Sequence, residues 1–129
     1  IAGKIRNHNV AIAQSKFKPP IFIELNALLN EFFEWYHKEK NKIHSVELAA
    51  LIHLKFVTIH PFTDGNGRIS RLIMNFILKK NKFPLLDIPY EKRVGYYNAL
   101  ERSQLKKEDG IFVQWFFRRY LQEFNEYLK

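Results

Sequence analysis

The sequence predicts an all-α protein, a helical bundle with one small β-hairpin close to its N-terminus. Apolar residues recur at helical spacing in successive stretches after residue 20, and prolines or charged turns separate these stretches. The hairpin is indicated by the turn signal Asn7-His8-Asn9, which lies between short apolar runs within residues 3–13. We therefore expect one domain over residues 1–129, with core helices over about 20–128.

The first two helices follow from breaks and apolar spacing. Pro19-Pro20 marks a break that proline tolerates in a first helical turn, and the amphipathic pattern after it continues to about Lys40. Ser45 is the expected N-cap of the next helix, which is apolar around almost its whole circumference up to Ile59. A helix of that kind is buried, and it delivers His60 at its C-terminal end.

Three further helices complete the bundle. The third begins at Asn66 or Gly67, ends at about Lys80 and is broken by Phe83-Pro84. A fourth follows Pro89, and the last carries the apolar residues from Phe112 to Leu128. On the fourth helix we expect one apolar face, formed by Val94, Tyr97, Leu100 and Leu105.

Composition restricts the possible functions. Hydrophobic residues make up 47% of the 129 positions, enough for a core, but no run of about 18 apolar residues predicts a membrane span. Cysteine is absent, which excludes disulfide and thiolate chemistry and fits the cytoplasmic location that we expect.

The net charge of +8 raises the hypothesis of a non-enzymatic, basic nucleic-acid-binding domain. The basic residues are spread along the chain, however, and the only short run is Lys79-Lys80-Asn81-Lys82. We favour a solvated basic surface that attracts an anionic nucleotide or an acidic target. Nucleic-acid binding would differ in falling steeply with salt and in being independent of His60.

Residues 60–71, between the second and third helices, concentrate the functional side chains. Asp64-Gly65-Asn66-Gly67 is turn chemistry, and the helix after it offers unpaired backbone N–H groups and a positive dipole end. Arg68 and Arg71 are three apart, so both can project from the first turn. Free amides beside two guanidinium groups are typical of a polyphosphate site.

Two side chains extend this prediction to catalysis. Asp64 would be repelled by a phosphate unless a cation lay between them, and Mg²⁺ is the cation that one carboxylate and phosphate oxygens hold. His60 is the nearby group that accepts a proton near neutral pH, so we expect it to be the general base. A P-loop is excluded because the chain has no Gly-Lys-Ser/Thr triplet.

The same stretch resembles the signature of the Fic-domain family, H-x-F-x-D/E-G-N-G-R-x-x-R. Every specified position matches: His60, Phe62, Asp64, Gly65, Asn66, Gly67, Arg68 and Arg71. Gly3 to Ile12, with Pro19-Pro20, is similar to the family's flap and the segment after it. Tyr96-Tyr97-x-x-Leu100-Glu101 is similar to a patch downstream of the signature.

The resemblance implies a protein adenylyltransferase, which moves AMP from ATP to a Tyr, Ser or Thr hydroxyl of a target protein. A β-hairpin flap would lie over the active site and hold an extended target segment by backbone pairing. The nucleotide contacts that it implies, besides the signature residues, are Val10, Ile12, Tyr96, Tyr97 and Gln104, the last at a position where the family often has asparagine. The two tyrosines could equally be ordinary core aromatics.

The resemblance also raises questions of regulation and of activity. Because the chain begins with Ile1 and not with methionine, we expect a domain excised from a longer protein. Many relatives carry an inhibitory helix, [S/T]-x-x-x-E-[G/N], which these residues lack, so we expect this domain to be more active than its parent, including on itself. A homo-oligomer is possible. Removal of AMP, or a nucleotide-binding module without catalysis, would use the same site. A Doc-like kinase is disfavoured because lysine would be expected in place of Gly67.

Overall fold

The computed structural model describes residues 4–128, which form five α-helices and no strand, confirming the predicted all-α architecture. The helices are α1 Leu25–Glu39, α2 Ser45–Ile59, α3 Asn66–Lys80, α4 Arg93–Lys106 and α5 Asp109–Leu128. Single turns of 3₁₀-helix at Phe22–Glu24 and Tyr90–Lys92 lead into α1 and α4. Within the described residues no helix has both the length and the apolar content that a bilayer crossing requires.

Helix α2 lies at the centre of the bundle and packs against α1, α3 and α5. Ala49 and Ala50 are fully buried, and their small side chains let neighbouring helices approach on adjacent sides of α2. Its N-cap is His44 rather than the predicted Ser45, because the His44 Nδ1 atom accepts the Val46 N–H at 3.1 Å. The buried, nearly all-apolar helix that the sequence predicts is confirmed.

Aromatic side chains of α5 supply much of the remaining core. Phe112, Phe116 and Tyr120 are fully buried, and their spacing of four residues puts them on one face of the helix. The Tyr120 hydroxyl donates to the Pro84 carbonyl at 2.9 Å. This bond fixes the segment after α3 against the core.

The predicted hairpin over residues 3–13 is not seen in residues 4–13, which form bends and turns; Gly3 lies outside the described residues. Polar groups of these residues form hydrogen bonds with distant parts of the chain instead. The Arg6 N–H donates to the Pro61 carbonyl at 2.9 Å, and the Asn9 side chain accepts the Phe22 N–H at 2.9 Å. Residues 4–16, which we call the N-terminal segment, are therefore held by the loops of the bundle and not by a partner strand.

Candidate active site

His60 lies directly after the last residue of α2 and caps its C-terminal end. Its backbone is left-handed, with a φ of 53°, and its N–H donates to the Phe56 carbonyl at 3.0 Å. A residue with a side chain has this conformation at a cost of roughly 1–2 kcal/mol. The left-handed residue ends the helix and redirects the chain into the loop that leads to α3.

The surroundings of His60 favour its neutral form. Burial lowers the pKa of the imidazole below its usual value, and the positive charge of Arg6 lowers it further. A hydrogen bond between the ring and the backbone of Val57 opposes these two effects without cancelling them. At pH 7 the ring is neutral, so one of its nitrogens is free to accept a proton.

The loop between α2 and α3 is closed by the side chain of Asn66. Its Oδ1 atom accepts the Phe62 N–H at 2.9 Å, and its Nδ2 atom donates to the Phe62 carbonyl at 2.8 Å. Asn66 is only 4% exposed. The amide thus serves mainly to shape the loop, and the group of Asn66 that the helix itself leaves without a partner is its backbone N–H.

The N-terminus of α3 combines an open backbone with a positive charge. Gly65 precedes the helix in the left-handed conformation, with a φ of 84°, and no side chain caps the first turn. The first helical bond runs from the Ile69 N–H to the Gly65 carbonyl at 3.0 Å, so the three N–H groups before it have no partner within the helix. A Cβ atom at Gly67 would lie 3.3 Å from Nη1 of Arg71, so this guanidinium lies directly beside the glycine. Such an arrangement can bind an anion.

Arg71 is supported by two neutral side chains behind it. Its guanidinium hydrogen-bonds to Tyr96, whose hydroxyl also shares a hydrogen bond with Nε2 of His53. Burial raises the pKa of Tyr96, so this hydroxyl stays protonated. Burial lowers the pKa of His53 to about 4, and the charge of Arg71 acts in the same direction. The arginine therefore remains the charged member of the group.

Asp64 contributes one carboxylate beside the same loop. Its Oδ1 atom accepts the Gly65 N–H at 2.8 Å. Among residues 4–128 no group of three or more His, Cys, Asp or Glu side chains could hold a metal ion alone. A single carboxylate nevertheless fits Mg²⁺, which proteins commonly bind through one or two carboxylates together with substrate phosphates and water.

A cavity of about 600 Å³ brings these groups together. Its lining includes His60, Asn66, Gly67 and Arg71. Residues of the N-terminal segment and of α4 form the rest, namely Ile12, Ala13, Gln14, Ser15, Arg93, Val94, Tyr96, Tyr97, Asn98, Leu100, Glu101 and Gln104, with Val57 of α2. The cavity has the size of a small-molecule site, and its lining combines basic side chains with apolar and aromatic ones.

Comparison with known proteins identifies the family. Residues 1–78 match the Fic/DOC family. The chain belongs to this family. It is 42% identical over 103 residues to the Protein adenylyltransferase Fic of Nematostella vectensis, an alignment that covers 79% of this chain and 24% of that protein.

Solved Fic structures have the same architecture. Fic-1 of C. elegans (residues 134–508) superposes with a TM-score of 0.83 at 31% identity, covering 98% of this chain and 37% of that one. A Fic-domain-containing signaling protein of Bacteroides thetaiotaomicron superposes with a TM-score of 0.78 at 31% identity, covering 92% and 52%. The present chain thus spans about a quarter to a half of the length of these relatives.

The site residues predicted from the sequence do not all line the cavity. Val10, Asp64, Gly65 and Arg68 are not among the described residues that line it. Arg68 lies over the loop instead, because a Cβ atom at Gly65 would be 3.2 Å from its Nη2 atom. Both arginines of the first turn were expected to project toward one site, but only Arg71 lines the cavity.

The predicted adenosine contacts of this Fic domain differ among themselves. Tyr96 is 3% exposed and its hydroxyl is used by Arg71 and His53, whereas Tyr97 is 59% exposed and lines the cavity. Gln104 lines the cavity and donates from Nε2 to the Thr58 hydroxyl at 3.2 Å. Tyr97 is the ring that remains free to stack on a base.

Sequence reasoning missed several residues that shape the Fic site. Glu101 accepts hydrogen bonds from the Ser15 hydroxyl at 3.2 Å and from the Lys16 N–H, and so connects α4 to the N-terminal segment. The tyrosine patch contained Glu101, but its partners are 85 and 86 positions away. His53 and Arg6 also support site residues, and no spacing in the sequence connects them with their partners.

Proposed function

We propose that this Fic domain is a Mg²⁺-dependent protein adenylyltransferase that transfers AMP from ATP to a Tyr, Ser or Thr hydroxyl of a protein. One observation carries the proposal: a single cavity is lined by the neutral imidazole of His60, the uncapped first turn of α3 and the guanidinium of Arg71. These are a proton acceptor and a phosphate site. The relative in Nematostella vectensis that is named Protein adenylyltransferase Fic supports the same activity.

The polarity of the cavity suggests how ATP would bind. The unpaired backbone N–H groups of residues 66–68 and the side chain of Arg71 would take the phosphates, with the Arg68 guanidinium reaching the outermost one. The adenosine would lie between Ile12 and the exposed ring of Tyr97, which both line the cavity. A cavity of about 600 Å³ can hold a ligand of this size.

The reaction then requires one proton transfer and one in-line displacement. The neutral His60 ring accepts the proton of the target hydroxyl as the hydroxyl oxygen attacks the α-phosphorus. The bond from that phosphorus to the bridging oxygen of the β-phosphate breaks, and pyrophosphate leaves with the electron pair. The helix N-terminus and Arg71 stabilise the negative charge that develops on the phosphates, the main contribution in phosphate-transfer reactions.

Asp64 would hold the Mg²⁺ ion of the nucleotide. Its carboxylate is exposed and lies at the loop that leads into the phosphate site, so it fits an ion shared with phosphate oxygens. The bound ion would supply charge neutralisation of the phosphates. The loop residues keep the carboxylate in place through the Gly65 N–H.

The target protein would dock along the N-terminal segment as an extended peptide. Residues 12–15 form one wall of the cavity, so a peptide lying on them would present a hydroxyl near His60. Backbone pairing with residues 10–13 is the proposed mode, because this part of the segment forms no strand with another part of the described chain. Where a hydroxyl of a second copy can occupy this position, the protein would modify itself.

The proposal is tested with ATP that carries the label on either the α- or the γ-phosphate. Label from the α-phosphate alone, on the chain itself or on an added acceptor protein, is the expected result. Label from the γ-phosphate would make the protein a kinase. Binding of ATP without any transfer to a panel of acceptor proteins would instead favour a module that binds nucleotide without catalysis.

The His60→Ala variant should bind ATP normally and lose transfer. A positioned general base contributes about 10²–10⁴-fold to the rate, so we expect the rate of AMP transfer to fall by about that factor. Transfer from labelled ATP and nucleotide affinity are measured side by side. The His37→Ala variant is the control, because His37 is exposed on α1 and should leave both quantities unchanged. Full transfer by His60→Ala would refute the assignment of the base.

A further inference from the structure

Arg6 of the N-terminal segment is a buried cation whose hydrogen bonds all go to backbone carbonyls. It is 4% exposed. Nε donates to the His60 carbonyl at 2.8 Å, Nη1 to the His8 carbonyl at 3.0 Å and Nη2 to the Pro20 carbonyl at 2.7 Å. Its backbone N–H donates to the Pro61 carbonyl at 2.9 Å. The one residue thus bonds the backbone at His60, at Pro61, at His8 within its own segment and at Pro20 beyond that segment.

A buried arginine of this kind is unusual. Buried guanidinium groups are ordinarily paired with carboxylates, because the desolvation of an unpaired charge is costly. Within residues 4–128 no carboxylate lies at ion-pair distance from Arg6. The group stays charged because arginine is not deprotonated in proteins. A purely structural clamp could use neutral donors, so the retention of a full charge beside His60 needs a reason.

The geometry around His60 supplies that reason. The His60 backbone has a left-handed conformation that a side chain disfavours, with a φ of 53°. The Arg6 guanidinium and N–H bind two successive carbonyls, those of His60 and Pro61, and so hold the chain in this turn. The Arg6 side chain itself is not among the groups that line the cavity. It acts on the imidazole through the backbone and through its charge.

We propose that Arg6 is the positioning residue for the general base: its planar guanidinium fixes the strained backbone at His60 and couples the base to the N-terminal segment. This role rests on the proposed function, because it gives His60 the task of accepting a proton. It adds that the segment carrying the target also holds the base in place, through the bonds of Arg6 to the His8 and Pro20 carbonyls.

The charged groups around His60 define what each variant changes. On the N-terminal segment, Arg6 is the cation whose charge lowers the pKa of the ring. The other charged residues that line the cavity with His60 are Arg71 of α3, and Arg93 and Glu101 of α4. Asp64 is on the loop that follows His60. Variants at Arg6 leave these other groups in place, so a change in the titration of His60 can be assigned to position 6.

Two variants separate geometry from charge. Arg6→Lys keeps the positive charge, but a single amino nitrogen then replaces the three guanidinium nitrogens that bond three carbonyls. Arg6→Gln removes the charge as well. Arg118→Lys and Arg118→Gln are the matched controls, because Arg118 is exposed on α5. For each variant we would measure ATP affinity, kcat for AMP transfer as a function of pH, and the pKa of the His60 ring by NMR.

If Arg6 positions His60, its substitution should change kcat but not the affinity for ATP. Both Arg6 variants should bind ATP as the parent does, and kcat should fall by about 10²-fold, the effect of a misplaced catalytic group. The pH at which activity is half-lost on the acid side should rise in Arg6→Gln and stay unchanged in Arg6→Lys. Equal kcat in the Arg6 and Arg118 variants would overturn the proposal. So would parallel losses of kcat and ATP affinity, since these would make Arg6 an ordinary structural residue.

The NMR titration keeps this inference separate from the proposed function. If the parent protein transfers no AMP, the proposed function fails, but the pKa of His60 can still be measured. It should rise in Arg6→Gln relative to the parent and to Arg118→Gln, because a nearby positive charge has been removed. An unchanged His60 pKa in Arg6→Gln, in a protein whose thermal unfolding is still cooperative, would overturn the role of Arg6 by itself.

Discussion

Gly65 and Gly67 lie two positions apart at the start of α3, and the backbone constrains them differently. Gly65 has a φ of 84°, where a side chain costs roughly 1–2 kcal/mol. Gly67 is helical, so alanine is acceptable to its backbone, but the new Cβ atom would lie 3.3 Å from Nη1 of Arg71. Gly65 is thus needed for the turn, whereas Gly67 keeps space for an anion and for the guanidinium.

The two alanine variants should therefore fail in different ways. Gly65→Ala should lower the free energy of unfolding by about 1–2 kcal/mol in urea denaturation. Gly67→Ala should not lower it, because alanine stabilises a helix relative to glycine. It should instead weaken ATP binding several-fold in a fluorescence titration, since it displaces Arg71 and closes the backbone. A loss of stability in Gly67→Ala as large as that in Gly65→Ala would contradict this distinction.

At individual positions, the residue type predicted which side chains belong to the site better than it predicted which atoms each side chain contacts. His60, Gly67 and Arg71 were predicted from the sequence, and they line one cavity. Asn66 was expected to cradle phosphates, but its side chain bonds both backbone groups of Phe62. An amide can bind a peptide group or a phosphate equally well, so the residue type alone could not decide between these partners.

Among the elements, the contact between α4 and the N-terminal segment controls one wall of the cavity. Glu101 on α4 accepts hydrogen bonds from the Ser15 hydroxyl and the Lys16 N–H. Both Glu101 and Ser15 line the cavity. Hydrogen bonds to a charged group contribute about 1.5–3 kcal/mol, less where water reaches them. We infer that this carboxylate keeps the segment in place beside the nucleotide site.

The Glu101→Ala variant should release the segment locally without unfolding the bundle. The Lys16 amide should then exchange its hydrogen roughly tenfold faster, which corresponds to a loss of about 1.4 kcal/mol. Hydrogen exchange followed by NMR checks this, and the Arg6 amide, held by the Pro61 carbonyl, is the internal control. Glu101→Gln should lie between the parent and Glu101→Ala, because a carbonyl oxygen still accepts. Equal Lys16 exchange rates in all three proteins would rule out this role.

The apolar face of helix α4 was predicted incorrectly. The expected apolar face included Val94 and Tyr97, but these are 64% and 59% exposed, and Tyr96 and Ala99 are buried instead. Val94 and Tyr97 line the cavity. A helix beside a binding site leaves apolar residues open to that site, so its sequence pattern no longer separates core from surface. The N-terminal segment was predicted incorrectly for a related reason, since its backbone bonds to distant loops that the local sequence does not reveal.

For the molecule as a whole, the helical bundle was predictable because its core follows simple spacing. Helix α2 is apolar around most of its circumference, and that pattern correctly predicted a buried helix. The aromatic residues Phe112, Phe116 and Tyr120 of α5 repeat every four positions and are buried. What spacing could not predict is the polar group at the junction of the helices, where His53 of α2 bonds Tyr96 of α4 and stacks on Phe112 of α5.

His53 makes the stability of the whole bundle sensitive to acid. Its pKa is lowered to about 4 in the folded protein, first by burial and then by the charge of Arg71, while the backbone of Ser70 acts in the opposite direction. In the unfolded chain it titrates near pH 6.5. Between these values the unfolded state binds more protons, so stability present above pH 6.5 is lost as the pH falls towards 4. The loss amounts to about 3 kcal/mol when complete.

We expect the His53→Gln variant to remove this part of the pH dependence. Urea unfolding at pH 7, 5.5 and 4 should show a parent that loses about 3 kcal/mol more than the variant across that range, whatever their difference at pH 7. Carboxylates contribute to both proteins equally and cancel in the comparison. The pKa of His60 is also lowered, so the His60→Ala variant serves as a control. This variant should retain most of the parent's dependence of unfolding free energy on pH, because His53 is the more deeply buried ring. If the free energy of unfolding depended on pH in the same way in the parent and in His53→Gln, His53 would accept a proton in the folded state. The interpretation of His53 and Tyr96 as neutral side chains behind Arg71 would then be wrong.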